Sequence, residues 1–104
     1  MNRDVRARSG AVIRLTDERW AHISEEHCEL AGMREEVLGA VEDPERVLAG
    51  LAGELLALRA IEAEKVLVVV YKEVSAADGF VITAFLTRRL ASLERRSQVW
   101  PKRS

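Results

Sequence analysis

Hydrophobic and polar positions follow two rhythms along this chain, and the change comes near residue 43. Before it, apolar residues recur at helical spacing; after it, they fall into short runs and alternations that suit strands. Ala11-Val12-Ile13-Arg14-Leu15 is a short strand-like run. Thr16 follows where a helix N-cap belongs, with Asp17 and Glu18 in the first turn, where carboxylates favour the helix dipole. This predicted helix continues to His27. At about 100° per residue, Trp20, Ile23 and His27 share one face and His22 lies roughly opposite. A second helix is predicted from about Met33 to Glu42, with Met33, Val37, Leu38 and Val41 on its apolar side. Asp43-Pro44 ends it, because proline restricts the residue before it and cannot extend the hydrogen-bond ladder.

Beyond Pro44 four strands are predicted: Arg46 to Ala49, Glu54 to Ile61, Val66 to Glu73 and Phe80 to Thr87. Tight connections around Ala63-Glu64 and Asp78-Gly79 imply an antiparallel meander. A short helix near Arg88 to Arg96 and a tail, Val99-Trp100-Pro101, close the chain, the tail tucking its indole against the sheet. The fold class expected is α+β: two N-terminal helices, then a four-stranded antiparallel sheet meander and a short C-terminal helix. In the simplest register one sheet face collects Leu56, Leu58, Leu67, Val69, Tyr71 and Phe80, and packs on the helices. The opposite face collects Arg59, Lys72, Val81, Thr83, Phe85 and Thr87, so that Arg59, Lys72 and Thr83 meet from three strands.

The chain has 104 residues, enough for one core and too few for two. Residues 1–10 read as a flexible basic tail and 11–101 as a single domain. The longest apolar run, Val66 to Tyr71, is far short of a membrane span, and no apolar segment follows the N-terminal arginines as a secretory signal requires. A cytoplasmic protein without membrane partners is the expectation. Cys28 is the only cysteine, which excludes an internal disulfide and argues against a cysteine-based metal site. The net charge of −1 conceals a partition: residues 1–15 sum to +3, 16–54 to −8 and 55–104 to +4. A nucleic-acid binder often carries an overall basic excess, which this chain lacks; a local basic patch is still available from its ends.

Within that C-terminal part, Asp78 to Arg89 is a turn, a strand alternating large apolar residues with Thr83 and Thr87, and an exit at Arg88-Arg89. Two hydroxyls on one face and two guanidiniums beyond them suit an anion, and the guanidinium fork suits phosphate in particular. Threonine is also a favoured strand residue, and the arginines could instead pair with helical acids.

Ile13-Arg14-Leu15-Thr16-Asp17-Glu18-Arg19-Trp20-Ala21-His22-Ile23, then Glu26-His27-Cys28-Glu29, resembles a family of small bacterial and phage proteins, the phage-type relatives of the barnase, EndoU, colicin and RelE-like nucleases. Gly53 to Arg59, Leu67 to Glu73, the Thr-Arg-Arg exit and Trp100-Pro101 resemble it too, so that most of residues 11–101 is covered. The family pattern has Pro-Glu after the second histidine; here it is Cys28-Glu29. The resemblance implies helices followed by a four-stranded antiparallel sheet. It implies metal-independent, cofactor-free RNA cleavage by attack of a ribose 2′-hydroxyl on the adjacent phosphorus, as in the toxin of a toxin–antitoxin pair. Partners would then be RNA and an antitoxin or other protein.

Such a reaction needs a base, an acid and cations around a crowded phosphorane. Histidine suits the proton transfers because it titrates close to neutrality. His27 is the first candidate, its alternative role being a helix C-cap. His22 is weaker: it sits four residues from both Glu18 and Glu26, the spacing of a solvated ion pair. Spaced five apart, the two histidines stand about 140° from each other, and paired helical metal ligands are usually four apart. Arg59 and Lys72 each interrupt an apolar strand and are candidates for charge stabilisation, or else ordinary solvent-facing residues. Thr83 joins them as a hydrogen-bond donor; Thr87 and Arg88 are phosphate-binding candidates. Two competing readings use the same fold. One is a non-catalytic protein-binding module, the other a homo-oligomer whose interface core would be Val68, Val70 and Phe85.

Overall fold

A computed structural model describes residues 3–102. In chain order it contains β1 (Arg3–Arg6), β2 (Val12–Leu15), α1 (Asp17–Glu26), a 3-10 turn (Cys28–Leu30), α2 (Arg34–Glu42), β3 (Arg46–Ala49), β4 (Leu55–Glu62), β5 (Lys65–Glu73), β6 (Asp78–Thr87), α3 (Ala91–Glu94) and β7 (Gln98–Trp100). All the strands described join one sheet of seven, in the order β1-β2-β6-β5-β4-β3-β7. The expected four-stranded antiparallel meander is therefore corrected to a larger, mixed sheet. The four central strands lie where expected, but β2 joins them parallel to β6, and β7 pairs antiparallel with β3.

Residues 3–6, expected to belong to a flexible tail, form a strand paired antiparallel with β2, Val5 opposite Ile13; Met1 and Asn2 lie outside the described residues. Two features make this hairpin. Ala7 and Ala11 bury their methyls in the core, and Gly10 takes φ +95°, a conformation that a residue with a Cβ rarely adopts. The sheet also curls. Although β1 and β7 are its two edges, the Arg8 guanidinium lies 4.7 Å from the centroid of the Trp100 ring, and α2 sits inside the curl against β1, β4 and β5.

The helices begin as the sequence predicts. The Thr16 hydroxyl accepts the Arg19 N–H at 3.1 Å and caps α1. Arg34, at the start of α2, donates to Asp17 Oδ1 at 2.7 Å and to the Leu15 carbonyl at 2.9 Å, pinning both helix starts to the end of β2. Val37, Leu38, Ala40 and Val41 of α2 are buried against the sheet with Ile23 of α1. No helix among the described residues is long and apolar enough to cross a membrane.

Two single-residue bulges overturn the expected assignment of faces. Between β4 and β5, Glu62 pairs with Lys65 but Ala60 pairs with Val66, leaving Ile61 as an extra residue. The parity of β4 is thereby reversed: Ala57 and Arg59 join Leu67, Val69 and Tyr71 on the helix face, and Leu56 and Leu58 join Val68 and Val70 on the other. Between β5 and β6, Val70 pairs with Thr83 but Tyr71 pairs with Val81, so Ile82 is the extra residue. Val81 is consequently buried in the helix-side core, whereas Phe80, expected inside, is exposed.

Candidate functional site

The first consequence of the β4 bulge is that Arg59 leaves the expected trio. It faces the helix side, where its guanidinium donates to the Asp43 carbonyl at 2.7 Å and lies 3.3 Å from Asp43 Oδ2. Asp43 also pairs with Arg8 at 2.5 Å, so Arg59 belongs to a knot that ties the end of α2 to β4 and the N-terminal hairpin. His22 is engaged as the spacing predicts, with Nε2 3.0 Å from Glu26 Oε1, beside an open depression on the outer side of α1 that also exposes Glu18 and Glu25.

Lys72, Thr83 and Thr87 do share one face of the sheet. Thr83, Phe85 and Thr87 alternate onto the face away from the helices, beside Val70 and Lys72 of β5. That face is partly roofed by Leu90 and Leu93, from the segment entering and forming α3, and between roof and sheet a groove of about 440 Å³ remains. Its floor is Leu56, Val70 and Phe85. Its walls carry Glu54, Thr87, Arg89 and Arg96, with Leu51 at the lip. The Thr87 hydroxyl accepts the Arg89 N–H at 3.0 Å, which fixes the turn that presents Arg89. Val68 is fully buried on this same face, within the chain's own second cluster, so it is not available as the core of an interface between copies.

Glu54 is the electrostatic centre of the groove. Its Oε1 accepts the Ala52 N–H at 2.9 Å, and the side chain folds over Gly50, where a Cβ would stand 1.8 Å from that oxygen. The Ala52 N–H holds the carboxyl below the usual glutamate range; burial opposes this, while the residue's own N–H and the positive charges of Arg96 and Lys72 add to it. The site thus favours an ionised carboxylate, chiefly through the Ala52 N–H. Arg96 Nε is buried without a hydrogen-bond partner, and Arg89 forms no hydrogen bond or ion pair through its guanidinium among the described residues.

His27 caps the C-terminus of α1, its N–H donating to the Ile23 carbonyl, and its ring lies 6.3 Å from that of Phe85. It is a helix cap and a neighbour of the groove at once. Its Nδ1 lies 3.6 Å from Glu29 Oε2, so the acid that follows Cys28 stays beside the histidine without proline in between. Arg88 lies outside the groove, in an adjoining depression with Lys65.

Of the residues expected from the sequence, Thr87 lines the groove, Lys72 and Thr83 lie on the same sheet face outside its lining, and His27 borders it at Phe85, whereas Arg59, His22 and Arg88 lie elsewhere. Reasoning from the sequence missed Glu54 and Arg96. A carboxylate at the mouth of the apolar run Leu55-Leu56-Ala57-Leu58, after a loop with glycines at 50 and 53, was the available signal for the first. The +4 charge of residues 55–104 was the signal for the second. Comparison with family models, with curated proteins and with solved structures found no match in any of the three.

Proposed function

We propose that this chain cleaves RNA phosphodiesters in the groove beneath α3, without a cofactor. The observation that carries this reading is a groove in which Glu54, held ionised by the Ala52 N–H with help from the positive charges of Arg96 and Lys72, shares the walls with Thr87, Arg89 and Arg96 above an apolar floor. A carboxylate among cations is a poor phosphate site by itself, but a suitable base when the proton to be removed lies next to the phosphate. Glu54 takes the proton of the ribose 2′-hydroxyl, and the oxygen attacks the adjacent phosphorus. The O2′–P bond forms and the P–O5′ bond breaks. His27, bordering the groove at Phe85, gives its proton to the departing 5′-oxygen. The products are a 2′,3′-cyclic phosphate and a 5′-hydroxyl. Arg96, Lys72 and Arg89 stabilise the charge of the phosphorane, and the Thr83 and Thr87 hydroxyls are donors to its oxygens.

The test is incubation of purified protein with labelled single-stranded RNA and identification of the new ends. Cyclic phosphate ends are expected, and Glu54→Gln should lower the rate by roughly 10²–10⁴-fold while the fold survives. Because Glu54 is held below its ordinary value of 4.5, the acid side of the pH–rate profile should fall only below that pH; Arg96→Ala should move this limb upward. Intact RNA with folded protein, or undiminished cleavage by Glu54→Gln, sinks the reading. The activity implies a cytoplasmic protein and, as its biological setting, a toxin whose expression arrests growth.

One observation favours a second reading. Leu51, at the lip of the groove, is 91% exposed, as a residue that docks a protein partner would be. A folded protein that leaves RNA intact is the outcome that reading predicts.

A further inference from the structure

Apart from Arg19 on α1, which forms no side-chain bond among the described residues, the arginines between positions 6 and 96 fall into two populations. Arg6, Arg8, Arg14, Arg34, Arg46 and Arg59 each donate to a carbonyl or carboxylate of another residue. Arg88, Arg89, Arg95 and Arg96 form no such side-chain bond among the described residues, although they crowd into nine positions around α3. The one acid inside that segment, Glu94, is paired with Arg46 at 2.8 Å. In a chain rich in carboxylates, four guanidiniums without a hydrogen bond or ion pair among the described residues, only Arg96 acting on a nearby carboxylate, that of Glu54, make one short segment a concentrated positive field.

These arginines are also arranged along a path. The groove of the proposed active site shares Thr87 and Arg89 with a depression of about 320 Å³ that holds Lys65 and Arg88. On its other side it shares Leu51, Ser92 and Arg96 with one of about 370 Å³ that holds Arg95 and Ser97. Three depressions joined by shared walls form one track that runs past α3, with at least one cation in each. Apolar groups lie between the cations: Phe85 on the floor and Leu51 at the lip. This alternation suits an anion whose charges are spaced along a backbone and whose planar groups are free to stack. In a duplex the base faces are hidden against one another; in a single strand they are open to aromatic and guanidinium groups.

We infer that the track is a binding surface for single-stranded RNA on both sides of the scissile phosphate, with Arg88 holding one flank and Arg95 the other. This rests on the ribonuclease reading for the identity of the central groove, but it is a statement about binding and is measurable without turnover. Each flank engages phosphates that a dinucleotide does not have. Affinity must then grow with strand length, and it must fall with salt in proportion to the phosphates neutralised.

Fluorescence anisotropy with labelled single-stranded RNA of two and of twelve nucleotides, and with a hairpin duplex, reads both properties. The twelve-nucleotide strand should bind more tightly than the dinucleotide and the hairpin. Arg88→Ala/Arg95→Ala should weaken the twelve-nucleotide complex at least tenfold, with a much smaller effect on the dinucleotide. The slope of log affinity against log salt should become shallower by about 0.7 for each phosphate that the variant no longer neutralises. Equal affinity and slope for the double variant and the parent overturn the track, even if the parent cleaves RNA. Length-dependent binding that the double variant weakens, without any cleavage, preserves the track and overturns the ribonuclease reading instead. A polyglutamate of equal charge that displaces the RNA as effectively as unlabelled RNA also overturns the assignment, by showing a surface for acidic protein.

Discussion

The two faces of the sheet are lined by the same kinds of side chain and covered by very different lengths of chain. On one face α1 and α2 lie over Ala57, Leu67, Val69, Tyr71, Val81 and Ala84, and the buried cluster extends into both N-terminal strands. On the other, a single four-residue helix and its flanks supply Leu90 and Leu93 to cover Leu56, Leu58 and Val68. The first face closes; the second cannot, and Val70 and Phe85 remain half-covered at the bottom of a groove. The difference shows how one sheet supplies both a core and a site: incomplete cover leaves space where polar groups gather over an apolar floor. Glu54, Arg89 and Arg96 come from connecting or short helical segments, whereas the floor comes from the rigid strands.

Three substitutions test this contrast. Leu38→Ala, in the fully covered face, should have the largest effect, about 2–5 kcal/mol in equilibrium urea unfolding, because the cavity it leaves is walled by two helices and the sheet. Leu93→Ala removes the same atoms from the thin cover and should cost about 2 kcal/mol, the low end of that range, since a one-turn helix can settle into the gap. It should also reshape the groove, which binding of short RNA would register. Equal costs for the two leucines would break the comparison.

Tyr71→Phe should have the smallest effect at neutral pH and a distinct one in alkali. Burial, with a lesser contribution from Glu73, pushes the Tyr71 phenol from 10.0 up to about 12. The folded chain therefore keeps this proton after the unfolded chain has lost it. The favourable contribution is complete below pH 10, declines between 10 and about 12, and is lost above. Unfolding experiments at pH 8 and pH 11 should show a decline in stability in the parent that is reduced in Tyr71→Phe. The same decline in both would mean that Tyr71 is not sealed in the covered face.

The helices and the four central strands were legible because their signals are local: the Thr16 cap, the stripe on α2, Pro44, and apolar runs between turns. What the pattern could not carry was parity. Leu55-Leu56-Ala57-Leu58 is apolar at odd and even positions alike, so either face of β4 could be turned inward. The choice is made by the Ile61 bulge, beside a turn where Glu64 takes φ 63°. Glycine is the usual residue in that left-handed position, and its absence removed the sequence mark of a bulged hairpin. Arg59 was lost from the site through that one residue. Thr83 and Thr87 kept their face because the β5–β6 register is regular from Val66 to Val70, and Lys72 kept its own because the extra residue of the second bulge, Ile82, is on β6 and leaves the alternation of β5 intact. β1, β2 and β7 add only four, four and three residues to the sheet, too few to announce their pairing, and the parallel contact of β2 with β6 joins segments more than sixty positions apart.

The stacking of Arg8 on Trp100 has a consequence for how this protein behaves in a crowd. An open sheet ends in two rows of unpaired amides and carbonyls, each a template on which another chain can build. Here the curl brings residues beside those two rows into contact, 4.7 Å from guanidinium carbon to ring centroid, and Asp43 holds the same arginine from the other side. The contact works as a latch across an unclosed barrel. While it holds, neither margin can flatten to accept a neighbour. Release of the contact, as in Trp100→Ala, is expected to leave the short C-terminal strand, with its exposed Val99, open to edge-to-edge pairing.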